Sequence, residues 1–134
     1  MREYDLKLTK EYSISRHRYR ELKEFCLQYE EKKSELNQIY TSSSVSPEIA
    51  VMGGIPGKPT EQKAMRASQL KGEIELIDNC IKEACEGAVG LIKTLRKSVL
   101  YDYKFYELGD VPCGRNLFYK YRRKFFFILD KEKN

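Results

Sequence analysis

Residues 101–129 read YDYKFYELGDVPCGRNLFYKYRRKFFFIL. Residues 101–108 are rich in tyrosine and too few for a long helix. Residues 109–114 contain glycine and proline, which predict a sharp turn. From Arg115 to about Leu129 the apolar residues recur at helical spacing. A short helix, a turn with glycine and a longer helix are the arrangement of a helix-turn-helix.

Charge is distributed unevenly along the 134 residues, whose formal net charge is +5. Residues 1–95 hold 15 basic and 15 acidic side chains, whereas residues 96–134 hold 10 basic and 5 acidic ones. Between Val111 and Leu129 there are five basic residues and no acidic one. This asymmetry predicts a polyanionic partner for the C-terminal part of the chain.

The last helix supplies the predicted site for that partner. In a helix-turn-helix the second helix enters the major groove and presents the side chains of its first two turns to the bases. Arginine pairs with guanine, asparagine pairs with adenine, and tyrosine and lysine contact phosphates. The predicted DNA-binding residues are Arg115, Asn116, Tyr119, Lys120, Arg122 and Arg123. Spacing also marks Phe118, Tyr121 or Arg122, Phe125, Ile128 and Leu129 as core-facing candidates.

Two longer helices are predicted before residue 86. Ser13 or Ser15 can cap a helix that runs to about Tyr40, and Thr60 can cap one that runs to about Cys85. Each carries one narrow apolar stripe, while Lys32 and its charged neighbours are placed on the solvated sides. Residues 41–59 hold three prolines and three glycines, which predict a flexible connection.

Stripes this narrow favour an antiparallel hairpin with seam packed against seam. The alternative is two separate helices that dock on other chains. The predicted fold is therefore all-α, with a long antiparallel helical hairpin over residues 13–85 and a small helix-turn-helix-like C-terminal unit over residues 86–130. Residues 125, 128 and 129 share the face that can fill the core of that unit, whereas Phe126 and Phe127 project elsewhere. Either Tyr19 and its aromatic neighbours on the hairpin cover these two rings or a second chain does.

Two blocks of the sequence also resemble a known group. Residues 111–129, VPCGRNLFYKYRRKFFFIL, and residues 15–29, SRHRYRELKEFCLQY, are similar to the C-terminal and N-terminal signatures of small prophage-encoded helical proteins of Gram-positive bacteria. More distantly, the order of parts is similar to that of RinA- and ArpU-like phage transcriptional regulators. That resemblance implies a helical region ahead of a DNA-binding helix-turn-helix.

Composition and motifs argue against catalysis. The chain has one histidine, no nucleophile elbow, no phosphate-binding loop and no metal-ligand spacing, so we expect a protein that is not an enzyme and has no cofactor. Its four cysteines form no C-x-x-C pair and are expected to be free thiols. The absence of a long apolar run or a signal peptide favours a cytoplasmic protein without a membrane partner.

The predicted function is that of a DNA-binding, phage-type transcriptional regulator with duplex DNA as its partner. The hairpin would contact RNA polymerase, another protein or a second copy of the chain. Two alternatives stay open. One is a non-catalytic protein–protein adaptor, in which the basic helix packs on the hairpin. The other is a small terminase-type packaging subunit, although those generally carry the DNA-binding part first.

Overall fold

The computed structural model describes residues 12–42 and 58–133, in which the regular secondary structure is helical, without a β-strand. The helices are α1 (Arg16–Leu27), α2 (Tyr29–Ser42), α3 (Lys58–Ala84), α4 (Ile92–Tyr101) and α5 (Arg115–Lys133). Single 3₁₀ turns lie at Val89–Leu91 and Phe105–Glu107. The all-α prediction is confirmed. Among the described helices, none combines the length and the apolar character needed to cross a bilayer.

The helix predicted from Ser15 to Tyr40 is divided at Gln28. It begins as expected, because the Ser15 side chain accepts a hydrogen bond from the backbone N–H of Arg18 at 3.1 Å. At Gln28 the backbone N–H donates to the carbonyl of Phe25 at 3.3 Å, which is a tighter turn than the α-helical one. No glycine or proline stands nearby, so the sequence contains no local signal for this break.

Two compact units make up the described chain. We call residues 12–28 and 76–133 the large unit, and residues 29–42 and 58–75 the small unit. This division differs from the predicted boundary between residues 85 and 86, because α1 belongs with the C-terminal helices. Of the predicted flexible connection, residues 43–57 lie outside the described residues, and residues 41–42 and 58–59 are helical.

In the large unit, α1 packs against α4 and α5, and these two helices also pack against each other. The end of α3 contributes buried apolar residues as well. Burial of large side chains from all four helices removes apolar surface from water, which is the main stabilising term of such a core. The fully or nearly fully buried side chains include Leu22, Cys26, Ile77, Ile81, Leu95, Val99, Phe118, Phe125, Phe126 and Leu129.

The two phenylalanines that the sequence placed outside the core of the C-terminal unit have different surroundings. Phe126 is fully buried, and its ring meets the Tyr19 ring edge to face with centroids 5.0 Å apart. Phe127 is only half-buried and lies 5.7 Å from the Tyr12 ring. Of the covering residues that the sequence suggested, Tyr19 contacts Phe126.

In the small unit, two ion pairs connect α2 with α3. Lys32 Nζ lies 3.1 Å from Glu73 Oε2, and Arg66 Nε lies 2.5 Å from Glu35 Oε2. The expectation that Lys32 is solvated was wrong, since only 7% of it is exposed. Its long aliphatic stem lets the residue be buried while its ammonium group reaches a carboxylate at the edge.

Candidate nucleic-acid interface

The start of α5 is fixed by one buried ring. The backbone N–H of Phe118 donates to the carbonyl of Gly114 at 3.0 Å, closing the first turn. The Phe118 side chain is 1% exposed and packs on Phe105, with ring centroids 5.6 Å apart. Because Phe118 points inward, the neighbouring positions of the first two turns point elsewhere.

Four of the six predicted DNA-binding residues lie on or near the surface of this helix start. Arg115, Asn116 and Lys120 are exposed, and Tyr119 is half-buried. The Arg115 guanidinium lies 5.7 Å from the centre of the Tyr119 ring, and that ring lies 6.5 Å from the ring of Phe105. These contacts support Tyr119 from one side and keep Arg115 beside it at the surface.

Arg122 is in the core, which corrects its assignment to the DNA-binding set. It is 2% exposed, and it donates from Nε to Ser98 Oγ at 3.0 Å and from Nη1 to the Tyr19 hydroxyl at 2.9 Å. Its guanidinium also lies 5.0 Å from the centre of the Phe126 ring. A side chain with both of these donors occupied inside the protein cannot reach a phosphate or a base while the fold persists.

Arg123 requires the same correction. It is 8% exposed, and its buried Nε has no hydrogen-bond partner among the described residues. A buried donor without a partner costs about 1–3 kcal/mol, so the burial of this nitrogen opposes the gain from packing the rest of the side chain. With Arg123 covered, the exposed cations at the start of the helix are Arg115 and Lys120, followed by the half-buried Lys124.

The helical spacing of residues in the sequence predicted part of this burial pattern in α5. Positions 118, 122, 125 and 129 form one face of an α-helix, and all four side chains are buried. The sequence marked Arg122 as a core candidate and as a DNA contact, and only the first assignment agrees with the fold. Sequence reasoning did not find the partners of Arg122. Ser98 carried no signal, and Tyr19 was considered only as an aromatic cover for Phe126 and Phe127.

The segment before α5 departs from the predicted helix-turn-helix. Tyr101 is the last residue of α4, and within residues 102–114 only the single 3₁₀ turn at Phe105–Glu107 is helical. The turn of a helix-turn-helix has roughly 3–4 residues, which is much shorter than this connection. The first helix predicted within residues 101–108 is therefore not present as an α-helix.

The remaining reactive groups offer little nucleophilic chemistry. All four cysteines are free thiols, and Cys26, Cys80 and Cys85 are buried. Burial raises the pKa of the Cys80 thiol to about 12 and that of Cys85 to about 11, so both stay protonated at neutral pH. Within residues 12–42 and 58–133, no three histidine, cysteine or acidic side chains come together in a group that could hold a metal ion.

Comparison with models of known protein families gave no match, and comparisons with curated proteins and with solved structures gave none either.

Proposed function

We propose that this chain is a non-catalytic protein that binds duplex DNA through the first two turns of α5. The observation that carries the proposal is the exposure of Arg115, Asn116 and Lys120 at the start of a helix. No acidic residue occurs within the surrounding stretch of residues 111–129. Arginine and asparagine have the donor geometry to read guanine and adenine in the major groove, and lysine neutralises a phosphate.

The mode of docking in this proposal differs from that of a standard helix-turn-helix. Two of the six predicted contacts are buried, so the DNA would meet only the N-terminal end of α5. A helix N-terminus carries a partial positive charge and free backbone N–H groups, which favour a phosphate at that end. Regulation of phage-type transcription is the biological role that the resemblance of residues 15–29 and 111–129 implies, and we keep it as part of the proposal.

The small unit is proposed to be an antiparallel hairpin that contacts a protein partner. Lys32 precedes Glu35 on α2, but its partner Glu73 follows Arg66 on α3. Opposite order along two neighbouring helices is the pairing expected of antiparallel neighbours. Met65 is 72% exposed on this unit, which offers apolar surface to RNA polymerase, another protein or a second copy of the chain.

The pairing of α2 and α3 can be tested through one carboxylate. Hydrogen bonds from Arg66 hold the pKa of Glu35 below its ordinary value. A depressed folded-state pKa means that the ion pair stabilises the fold at neutral pH and is lost as the pH falls through that pKa. We expect Arg66→Ala to return the pKa of Glu35 towards its ordinary value in an NMR titration. Arg96→Ala, which removes an ion pair with Asp78 in the large unit, is the control and should leave Glu35 unchanged. An identical Glu35 titration in Arg66→Ala would contradict the pairing.

DNA binding should depend on salt, but less steeply than five cations would require. Two or three exposed cations release about two or three counterions, which predicts a slope of log K against log salt of about −1.8 to −2.7. Affinity for a labelled duplex should thus fall about tenfold to fortyfold between roughly 50 and 200 mM salt. Lys120→Ala should weaken binding and reduce the slope by about 1.

The matched control is Lys63→Ala, which removes an exposed lysine from a helix of the small unit. It should leave the affinity and the salt slope unchanged. Equal losses in the two variants would mean that binding is a property of net charge and not of α5. A complete absence of duplex binding at low salt would favour the alternative of a protein–protein adaptor. The burial of Arg122 and Arg123 is consistent with that alternative.

A further inference from the structure

Three tyrosines next to the proposed DNA-binding helix are unusually exposed. Tyr101 is 47% exposed, Tyr103 is 44% exposed and Tyr106 is 78% exposed, and we call them the tyrosine surface. Several large aromatic side chains exposed within one short segment are unusual, and such exposed patches generally mark interaction sites. None of the three belongs to the duplex-binding set proposed above.

The backbone places the Tyr101 and Tyr103 rings together for identifiable reasons. Helix α4 ends at Tyr101 because Asp102 adopts a left-handed conformation with φ 57°, which aspartate tolerates better than most residues. The reversal brings the Tyr101 and Tyr103 rings to a centroid distance of 6.1 Å. Tyr106 is the middle residue of the following 3₁₀ turn.

The tyrosine surface is connected to the start of α5. Two residues beyond Tyr103, the ring of Phe105 packs on Phe118 and lies 6.5 Å from the ring of Tyr119. Tyr119 in turn lies beside the guanidinium of Arg115. Two residues span at most about 7 Å of chain, so the Cα atoms of Tyr103 and Tyr106 lie within about 7 Å of that of Phe105, the residue that packs on the start of α5.

Charges around the tyrosine surface are mixed, with three acidic side chains and Lys104 within residues 101–110. Two of the three acidic side chains in residues 101–110 are already engaged. Asp102 lies 3.5 Å from Lys23 Nζ, and Glu107 accepts a hydrogen bond from the backbone N–H of Lys104 at 2.9 Å. Exposed Lys104 directly follows Tyr103 in the chain. Exposed Arg115 lies beside Tyr119, whose ring is 6.5 Å from that of Phe105. Exposed aromatic rings beside cations are the combination that binds single-stranded nucleic acid, because bases stack on the rings while cations meet the phosphates.

We propose that the tyrosine surface binds unpaired bases of a strand that continues beyond the duplex held by α5. This inference rests on the proposed function, since it assigns the tyrosines to the same nucleic acid. Because stacking uses the π-face that all bases share, the tyrosine surface adds affinity with little sequence preference. The protein then favours a duplex with a single-stranded extension, or a locally opened duplex, over a fully paired one.

The test compares a plain duplex with the same duplex carrying a single-stranded extension, using the full chain and fluorescence anisotropy. We expect about tenfold tighter binding of the extended DNA, corresponding to one well-stacked base. Tyr103→Ala combined with Tyr106→Ala should abolish that advantage and leave plain-duplex affinity unchanged. Tyr103→Phe combined with Tyr106→Phe should retain it, because the ring and not the hydroxyl stacks. Met65→Ala, an exposed change in the small unit, is the matched control.

A second readout comes from the protein itself. The chain has ten tyrosines and no tryptophan, so its intrinsic emission is tyrosine emission. The extended DNA should quench that emission more than the plain duplex does, and the double alanine variant should remove the difference.

The outcomes separate this inference from the proposed function. If the duplex binds but the extension adds no affinity, or adds it equally in the double alanine variant, the tyrosine inference is overturned and duplex binding stands. If the extended DNA binds through the tyrosines while the plain duplex does not bind, duplex binding by α5 fails, and only the binding of unpaired bases by the tyrosine surface stands. If neither DNA binds, both are wrong, and a protein partner becomes the occupant of the surface.

Discussion

Arg122→Ala is expected to lower the free energy of unfolding by about 3 kcal/mol, in the range found when a large core side chain is truncated. The change leaves a cavity between α1, α4 and α5, and it leaves the hydroxyls of Tyr19 and Ser98 without the donor that now reaches them. Urea denaturation followed by circular dichroism measures the loss. Arg122→Met should cost less, about 1 kcal/mol, because it fills most of the volume and removes a buried charge.

The matched control for Arg122 is Lys120→Ala, two positions earlier on the same helix. Its side chain is exposed, so stability should change by no more than about 0.5 kcal/mol. The effects on DNA affinity should have the opposite order. Under conditions in which both variants are folded, Lys120→Ala should lower the affinity more than Arg122→Ala does. A stable Arg122→Ala protein that has lost DNA affinity would show that this arginine faces the nucleic acid, and the core assignment would be wrong.

Phe126→Ala should lower the free energy of unfolding by about 4 kcal/mol, the middle of the range for a buried phenylalanine. Its ring is fully buried and contacts the rings of Tyr19 and Phe125, each with a centroid distance of 5.0 Å. The variant loses both aromatic contacts and the surface over which the Arg122 guanidinium lies. Chemical denaturation again gives the value.

Phe127→Ala is the natural comparison, because it makes the same chemical change at the next residue. Phe127 is half-buried and contacts Tyr12 and the ammonium group of Lys131, so the expected loss is only about 1 kcal/mol. Equal losses for the two variants would contradict the orientation of α5. A larger loss at Phe127, with a concentration-dependent unfolding transition, would mean that a second chain covers this face.

Several features of the fold were predictable from the sequence because they depend on local properties. Ser15 caps the first helix, the apolar stripe of α3 sets a long helix, and α5 begins at Arg115 after glycine and proline. The two long predicted helices and the last one could be located because capping, periodicity and chain-breaking residues act within a few positions. The surplus of positive charge near the C-terminus is likewise a property of the sequence alone.

The tertiary structure decided which elements share a core. The apolar stripe on α1 does not indicate which helix it will face. The sequence analysis assigned α1 to the hairpin, whereas in the structure α1 packs against α4 and α5. The break at Gln28 comes at the end of α1, the helix that packs on α4 and α5, and no glycine or proline near it signals a break.

Burial of charge was also decided by tertiary contacts. Arginine is normally exposed, and the sequence assigned five cations of residues 111–129 to a polyanion. Arg122 and Arg123 are nevertheless buried, and Arg122 is accommodated because Tyr19 and Ser98, from two other helices, provide hydroxyl acceptors and Phe126 provides an aromatic face. These partners are distant in sequence, so no local pattern could predict them. The positions of the helices therefore followed from the order of residues along the chain. The number of cations that remain exposed for a partner depended on which side chains the fold packs around each arginine.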